Sequence, residues 1–584
     1  MSGENRTGAP TDEAKLLAQF SRDRLIETNR QIAQWVRVSG SPEERAAFEY
    51  VREQLESYGL RTQWIDHPAL ISHPVEARLD QINVLGTAEQ TYTCLSHAFS
   101  ASVENLEAEI VDLGFGTPKD YAAQDVRSKV VLLNGLAGPT AVYQAERAGA
   151  AAQVFINDDH LHNMIVSTVW GTPTPDSAKR LPKTPAVSIK DTDGHALREH
   201  IAAMPTRVRL RTKVVTEWRT TPIVVGELDG HATDDFVLFS GHLDSWDYGA
   251  MDNGSANATM LEVARLLAPM KQELYRGVRV IFWSGHSHGR YSGSTWYADH
   301  YWEELYDRCV AHVNVDSTGA RGANFYGTFQ AHMELADLGA SVIREHTGQS
   351  SRPFRMSRAG DMSFNGIGIP SLFMELSQVP LADATSRGAA DNYVTLSLGT
   401  LMGSTMPWWW HTSEDTMDKV DPAVLELDTR IYLSTIWRLG HPPLLPMEFR
   451  RVVADIRKEL ADLQQAAGDQ IDLGGLDRQA IVLAGHVETL ASQMKVDHTS
   501  EEITRLNRQI KHLSRTLNPI TYTLTGRFEH DPAWGIPFLP GLQGARQLAQ
   551  LNPMSDECHF LKTQLVRNAN AVAFALRQAI ESFS

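Results

Sequence analysis

Three strand-length apolar runs, with a helix between the first two, constrain the fold of this chain most strongly. The runs are FVLFSG (236–241), VRVIFW (278–283) and VAHVNVD (310–316). Between the first two, ANATMLEVARLLAPM (256–270) has the periodicity of an amphipathic helix. Strands that alternate with helices predict a mostly parallel sheet, whose ligands gather at the carboxyl ends of its strands. We therefore expect an α/β fold at the centre of the chain.

Other regions surround this centre, because 584 residues are too many for one hydrophobic core. Residues from about 13 to 58 are predicted to form two helices. Short apolar runs at 130–134, 151–157 and 185–189 predict an α+β unit inserted into the main domain. Beyond about 446, helical periodicity predominates. The predicted parts are an N-terminal helical part of the core (1–70), an inserted domain (71–218), the core itself (219–445) and a helical domain (446–584).

Composition excludes several classes of partner. The formal net charge is −17, and such an acidic surface argues against nucleic acid or an anionic membrane as the main partner. The polar start, MSGENRTGAPTDEAK, lacks the apolar core of a signal peptide, and no apolar run is long enough for a membrane span. Cys94, Cys309 and Cys558 form no CxxC pair, which is typical of free thiols in a reducing compartment. We expect a cytoplasmic protein, with leaderless export as the alternative.

Histidines and carboxylates in four segments could converge at the edge of the predicted sheet. Imidazole nitrogens and carboxylate oxygens at strand ends can hold a divalent cation. A single histidine, or a single Asp before Asn–Gly, is more often structural, but four such segments in order favour a metal site. Asp244 lies two residues from His242, on the same side of an extended chain, where it can orient the His242 ring. The candidates are His242, Asp244 and Asp252 in GHLDSWDYGAMDNGSAN, His286 and His288 in FWSGHSHGRYSGS, Asp316 in NVDSTG, and His411 in WWWHTSEDTMDKVD.

These segments resemble those of the M28 family of zinc aminopeptidases and carboxypeptidases. The HLDS…DNGSA motif is highly specific, and HTSEDTMDKVD is moderately so. The whole layout, including NPITYTLTGRFEHDPAWGIP, is similar to the glutamate carboxypeptidase II and transferrin receptor branch. The resemblance covers nearly the whole chain. It implies a zinc-aminopeptidase-like core, an inserted protease-associated (apical) domain, and a helical dimerisation domain that makes a homodimer.

The resemblance also implies a ligand set. His242 and Asp316 would bind one metal, His411 would bind another, and Asp252 would bridge the two. We expect Zn²⁺ or another divalent transition metal as cofactor, with one or two ions.

The family pattern breaks after the strand VRVIFW. The family has two adjacent glutamates there, a general base and then a ligand of the metal that also binds His411. This chain has His286 and Ser287, and the following loop, GRYSGS, is one residue longer than usual. His286 or His288 could replace the missing ligand, or a single metal could bind at His242, Asp252 and Asp316. We prefer His286 as the base; a role as metal ligand and a loop histidine with neither task are the alternatives.

The substrate pocket is less defined by the sequence. A run of tryptophans such as Trp408–Trp410 is more often core packing. However, Trp410 stands where the glutamate carboxypeptidase branch has a substrate-contacting tyrosine, which favours a bulky or aromatic substrate group. Arg290 and Arg321 could pair with a substrate carboxylate, although structural or solvated roles are commoner.

The leading functional hypothesis is metal-dependent hydrolysis of an amide or peptide-type bond, with metal-bound water as nucleophile. The substrate would be a small molecule or a short peptide. One alternative is a non-hydrolytic metalloenzyme, a lyase or isomerase, on the same scaffold. Another is a non-catalytic binding protein like the transferrin receptor. The retained charged cluster argues against that last alternative, because buried carboxylates without a cation are costly.

Overall fold

The computed structural model of the protein describes residues 12–83, 85–357, 360–374, 376–380 and 404–583. Within them, one large mixed sheet is covered by helices. The strands are β1 (Arg61–Ile82), β2 (Ala88–Tyr92), β3 (Cys94–Ser96), β4 (Val103–Asp112), β5 (Val130–Asn134), β6 (Ala152–Ile156), β7 (Ala186–Ile189), β8 (Thr206–Leu228), β9 (Phe236–His242), β10 (Gly277–Trp283), β11 (Cys309–Asn314), β12 (Thr328–Ala331), β13 (Arg352–Arg355), β14 (Ser371–Phe373), β15 (Val379–Pro380) and β16 (Ser404–Thr405). The helices are α1 (Asp12–Ala18), α2 (Arg22–Ile32), α3 (Pro42–Ser57), α4 (Pro118–Ala123), α5 (Pro139–Arg147), α6 (Asp191–Ala203), α7 (Ala256–Leu267), α8 (Ser292–His300), α9 (Trp302–Arg308), α10 (Ala336–Thr347), α11 (Pro422–Gly440), α12 (Arg450–Ala467), α13 (Gly474–Gln493), α14 (Ser500–Tyr522), α15 (Ala545–Leu548) and α16 (Asp556–Glu581).

The centre of the sheet is the predicted parallel unit. In the order β13-β12-β14-β11-β9-β10-β8, strand β9 is parallel to both of its neighbours. Its last residue, His242, lies opposite Trp283 of β10, and Asn314 of β11 lies opposite Ser240. The three strands therefore end at almost the same level. The predicted α/β fold with a mostly parallel central sheet is confirmed, and the residues that follow these strands share one edge.

Burial explains why these runs form central strands. Every residue of β9, β10 and β11 is buried, as expected for strands with helices on both faces. Because side chains alternate, Val237 and Phe239 pack into one core, while Phe236 and Leu238 pack into another. Each such side chain contributes roughly 2 kcal/mol of burial free energy. The sheet is thus a rigid support for its carboxyl edge.

Two long strands were missed by the sequence interpretation. Strands β1 and β8 pair antiparallel from Arg61 opposite Glu227 to Ile82 opposite Arg207. They cross the predicted domain limits at 70/71 and 218/219. The beginning of β8 pairs with β4 and its end pairs with β10, so the strands inserted between β1 and β8 continue the same sheet. The protease-associated character of this inserted region stays a prediction.

The N-terminal region has three helices where two were expected. Ser21 caps α2 by accepting a hydrogen bond from the Arg24 N–H, and Ser41 does the same for α3 from the Glu44 N–H. Pro42 is the first residue of α3, where a missing N–H costs nothing. Beyond residue 446 the described chain is mostly helical, with α12, α13, α14 and α16 as its long elements. The homodimer expected from this region stays a prediction.

Among the described residues, none of the helices combines the length and the apolar character that crossing a bilayer requires. Cys94, Cys309 and Cys558 are free thiols.

Candidate metal centre

The sheet edge brings the predicted ligands to one place. His242 ends β9, Asp316 follows β11 by two residues, and His286 follows β10 by three. Asp252 lies in an irregular helical turn, Ala250–Ser255, just before α7. His411 was expected at a strand end, but it lies in a turn and has a φ of +61°. That turn is held by hydrogen bonds to Asn163 of the inserted region.

The distances within this cluster match a shared site. His242 Nε2 lies 3.2 Å from Oδ1 of Asp252 and 3.5 Å from Oδ1 of Asp316. His411 Nε2 lies 3.1 Å from the other carboxylate oxygen of Asp252, Oδ2. The two oxygens of Asp252 therefore face different imidazoles, which is the arrangement of a bridging carboxylate.

The buried nitrogen of His242 fits a metal better than a hydrogen bond. His242 Nδ1 lies 2.9 Å from the backbone oxygen of Asp244 and donates to it, which leaves Nε2 as the free lone pair. Nε2 is buried, and although the carboxylates are near, it has no aligned hydrogen bond within the described chain. Atoms of His242, His286 and Asp316 that can bind a metal all lie within 4.8 Å of one another. These nitrogen and oxygen donors suit zinc or a similar divalent ion.

The electrostatics of the cluster favour positive charge. Burial disfavours a charged imidazole, yet Asp316, Asp244 and Asp252 raise the pKa of His242 well above its ordinary value. Burial opposes ionisation of Asp252 too, but His242 and His411 hold its pKa below the usual range. Burial lowers the pKa of His411. Asp252 is therefore kept ionised in a buried place, where a bound cation would stabilise its charge.

His286 lies beside this cluster with a carboxylate behind it. Its Nδ1 is 3.0 Å from Oδ2 of Asp361, a side chain that is 1% exposed. Its ring stacks on that of His242 with 3.7 Å between centroids. Because Nδ1 is engaged, Nε2 is the atom left for other chemistry. The sequence interpretation missed Asp361, which lies outside every motif and 75 positions from His286.

The inserted region holds the turn that contains His411. His411 Nδ1 donates to the backbone oxygen of Asn163 over 2.7 Å, and the Asn163 N–H donates to the His411 oxygen over 2.9 Å. His162 Nδ1 lies 2.6 Å from the Trp410 oxygen. These bonds fix which nitrogen of His411 faces Asp252. A loop of the inserted region therefore orients one of the candidate ligands.

The three tryptophans before His411 have different surroundings. Trp409 is 7% exposed and belongs to a hydrophobic core. Trp408 stacks on His160 with 4.2 Å between ring centroids. Trp410 stacks on the His411 ring at 3.6 Å and lines a cavity of about 230 Å³ in front of the cluster. Only the last of them is placed to contact a substrate.

Comparison with known proteins now identifies the core. Residues 224–436 match the model of peptidase family M28. This part of the chain belongs to peptidase family M28. The protein is therefore a hydrolase, and the family supports a divalent metal as cofactor.

Relatives extend the likeness beyond the M28 core. Aminopeptidase YwaD of Bacillus subtilis (strain 168) is 24% identical over 378 residues, which cover 61% of this chain and 73% of YwaD. A probable glutamate carboxypeptidase, VP8 of Zea mays, is 24% identical over 502 residues, covering 73% of this chain and 68% of VP8. The solved aminopeptidase of Aneurinibacillus sp. strain AM-1 is 22% identical with a TM-score of 0.55, covering 74% of this chain and 96% of that one. The structural likeness shows the fold.

Asp244 has a different role from the one expected in the M28 core. The His242 ring is held by the backbone oxygen of Asp244, whereas the carboxylate lies 3.7 Å from His242 Nδ1. That carboxylate instead accepts hydrogen bonds from the N–H groups of His286 and Ser287 and from the Ser39 hydroxyl. Its pKa is lowered well below the usual value despite burial, through His242 and His288. Asp244 therefore fixes the start of the loop that carries His286 and Ser287.

His288 is not brought to the other candidate ligands. It is fully buried behind Asp244, with Nδ1 3.1 Å from the Ser39 hydroxyl and 3.8 Å from the Asp244 carboxylate. Its ring packs on Trp246 at 4.5 Å, and it does not line the described cavity. The turn that places His286 at the cavity sends His288 inward. Of the two histidines, only His286 is placed to serve the site.

Of the two candidate arginines, one lines the cavity and the other lies on the surface. Arg290 lines the cavity together with His286 and Trp410. Arg321 is exposed and donates from Nε to the Asp418 backbone oxygen over 2.6 Å.

Proposed function

We propose that this M28 protein hydrolyses an amide or peptide-type bond in a small molecule or short peptide, and that His286 moves the proton. The observation that supports this most directly is the 3.0 Å pair of His286 Nδ1 and Asp361, beside the four candidate ligands. The His286–Asp361 pair would supply the base at the place where the family has a glutamate.

The metal would be held by His242, Asp252, Asp316 and His411, with Asp252 between the two imidazoles. A divalent ion bound there would polarise the scissile carbonyl and make water more acidic. His286 is the alternative ligand, because its ring lies against that of His242.

The proton path follows from the hydrogen bonds of His286. The Nδ1–H donates to Asp361, so Nε2 carries the lone pair and accepts a proton from the attacking water. The imidazolium formed is stabilised by the Asp361 carboxylate behind it. Nε2 then donates this proton to the departing amine nitrogen, which leaves the acid and the amine as products.

The cavity supports a small substrate. Its volume of about 230 Å³ lies below the usual range of drug-sized pockets. Trp246 and Trp410 form part of its wall, and a substrate packed against them would displace water from the reacting groups.

His286→Ala tests the proposal directly. Amide, carbamate and dipeptide substrates would be screened with the metal-loaded protein, and kcat would be compared with that of His195→Ala. His195 is exposed on α6 and serves as the matched control. We expect kcat to fall roughly 10²- to 10⁴-fold in His286→Ala, with metal content unchanged.

Other outcomes separate the competing functions. Unchanged turnover in His286→Ala would remove the proposed role, and loss of metal would make His286 a ligand. Products that contain no added water would indicate a lyase or isomerase. Bound metal without turnover of any amide would favour the binding protein.

A further inference from the structure

The loop between β10 and α8 turns Arg290 towards the cavity. Arg290 and Tyr291 both have left-handed backbones, with φ values of +49° and +68°. The loop is held in this form by the inserted region. The Gly171 N–H donates to the Arg290 oxygen over 2.6 Å, and Trp170 stacks on Tyr291 with 4.0 Å between centroids. Such conformations persist only where the surroundings impose them, and they cluster at functional sites.

Gly171 allows this contact because its backbone lies close to the first turn of α8. A Cβ at this position would lie 2.1 Å from Oγ1 of Thr295. The Arg290 backbone is therefore clamped from the side of the inserted region, and its side chain extends into the cavity wall.

The Arg290 guanidinium has no acidic partner within the described chain. Its Nε is buried without a hydrogen-bond acceptor there. Two aromatic rings lie beside it, with Cζ 5.2 Å from the Tyr291 centroid and 5.9 Å from that of Trp170. Burial lowers the pKa of this guanidinium, and only Tyr291 opposes the shift. A partly buried cation without an anion is costly, so a bound anion would stabilise this place.

Arg37 shows how the same chain satisfies a buried arginine that has only a structural role. The Arg37 guanidinium is fully buried and donates to the backbone oxygens of Leu243, Tyr248 and Gly249, among others. Among the residues that the structure describes, no backbone oxygen accepts a hydrogen bond from the Arg290 guanidinium. The difference distinguishes a guanidinium that holds a loop from one that is free to bind a ligand.

The remaining cavity wall is rich in aromatic side chains. Trp246, Tyr291, Phe373 and Trp410 line it together with Arg290 and His286. Flat apolar walls of this kind favour an aromatic ring, which gains from stacking as well as from burial. The small cavity thus combines an aromatic wall, candidate metal ligands and a cation that has no acidic partner in the described part of the chain.

We propose that the substrate is an N-acyl aromatic amino acid, whose carboxylate pairs with Arg290 and whose ring packs against the aromatic wall. This inference rests on the proposed hydrolase function, since it places the scissile amide between Arg290 and the metal ligands. Carboxylate and guanidinium can form two parallel hydrogen bonds, which fixes the orientation of the amide.

Binding of two matched probes tests the inference without any turnover. 3-Phenylpropionate and 3-phenylpropionamide share the ring, but the first ends in a charged carboxylate and the second in a neutral amide. Their Kd values can be measured by calorimetry on the metal-loaded protein. We expect the carboxylate to bind about 10- to 100-fold more tightly. Arg290→Gln should abolish this ratio and Arg290→Lys should retain part of it. The exposed Arg321→Gln is the matched control and should leave the ratio unchanged.

Several results would overturn the inference. If the two probes bind equally well, or if neither binds, the proposal that Arg290 binds a carboxylate is wrong. A preference that persists in a folded Arg290→Gln variant means that another group, such as the metal, binds the carboxylate. Melting temperature checks the folding, and Arg290→Lys gives the answer if Arg290→Gln does not fold. Butanoate is a carboxylate that lacks the ring. If butanoate binds as tightly as 3-phenylpropionate, the proposed packing of an aromatic ring in the cavity is wrong.

Turnover separates this inference from the proposed function. N-acetylphenylalanine and N-acetylphenylalaninamide would be compared as substrates. We expect Arg290→Gln to lower kcat/KM about 100-fold for the acid and to leave that for the amide nearly unchanged. If neither compound is hydrolysed but the probe preference depends on Arg290, the carboxylate site stands and the hydrolytic proposal fails. If both are hydrolysed equally well by wild-type protein, the substrate class is wrong.

Discussion

One edge of the sheet carries both the ends of β9 and β11 and the loop after β10. The strand ends and the loop differ in what holds them in place. His242 and Asp316 are fixed by strands whose register is set by buried neighbours on both faces. The loop at 285–291 instead takes its shape from side chains outside the sheet, including Asp244 and Trp170. Strand ends are thus held by the hydrophobic core, whereas the conformation of a loop at the same edge depends on contacts from outside the sheet.

The largest effect is expected at the cluster of His242, Asp252, Asp316 and His411. Asp252→Asn removes one of the two oxygens that face His242 and His411. We expect kcat/KM to fall roughly 10³-fold or more, together with loss of bound metal, because a neutral amide cannot bridge. Metal analysis and steady-state kinetics measure both. Asp247→Asn, at a nearby half-buried carboxylate, is the control and should keep its metal. Stoichiometric metal and ordinary turnover in Asp252→Asn would contradict the assignment.

On the loop side, Asp361→Asn should affect catalysis alone. The amide can still hold the His286 ring, but it cannot stabilise the imidazolium with a negative charge. We expect kcat to fall by about 10², with metal content unchanged. Asp361→Glu keeps the charge and should recover part of the loss. If Asp361→Asn loses metal in parallel with activity, the loop contributes to metal binding as well as to catalysis.

A smaller effect is expected where the inserted region supports the His411 turn. His162→Ala removes the hydrogen bond to the Trp410 oxygen. We expect metal affinity to fall about 10-fold, because residues that orient a ligand usually contribute that much. Titration with a competing chelator measures the change, and the exposed His195→Ala is the control. No change would mean that the Asn163 backbone alone holds the turn.

The smallest effect on activity is expected behind the β11 edge. Asp428 on α11 accepts hydrogen bonds from the Gly319 N–H over 2.8 Å and from the Tyr326 hydroxyl over 3.0 Å. Burial raises the pKa of Asp428 to about 7. The folded state therefore binds an extra proton between the unfolded value near 4 and about 7, so stability falls as pH rises through this window.

Asp428→Asn keeps an accepting oxygen and cannot ionise. We expect the drop in melting temperature between pH 5 and pH 8 to shrink by a few degrees, with turnover unchanged. Calorimetry at the two pH values measures it, and the exposed Asp337→Asn should leave the wild-type drop intact. A drop of wild-type size in Asp428→Asn would show that other groups dominate this window.

Local periodicity was enough for much of the scaffold. The run at 130–134 is β5 to the residue, and those at 236–241 and 278–283 are β9 and β10 within one residue. The ligand candidates His242, Asp252, Asp316 and His411 came from short segments as well. The strand runs could be found in this way because a buried strand and its polar end are properties of neighbouring residues. The roles of the four side chains as ligands stay predictions.

Tertiary structure decided the rest. The long β1–β8 pair, the partnership of His286 with Asp361, and the burial of His288 all depend on contacts between distant segments. No local pattern shows which nitrogen of a histidine is engaged or whether Arg290 has a partner. The sequence determined which residues reach the sheet edge. Only the packed structure decided what each of them faces, because hydrogen-bond partners are chosen in three dimensions.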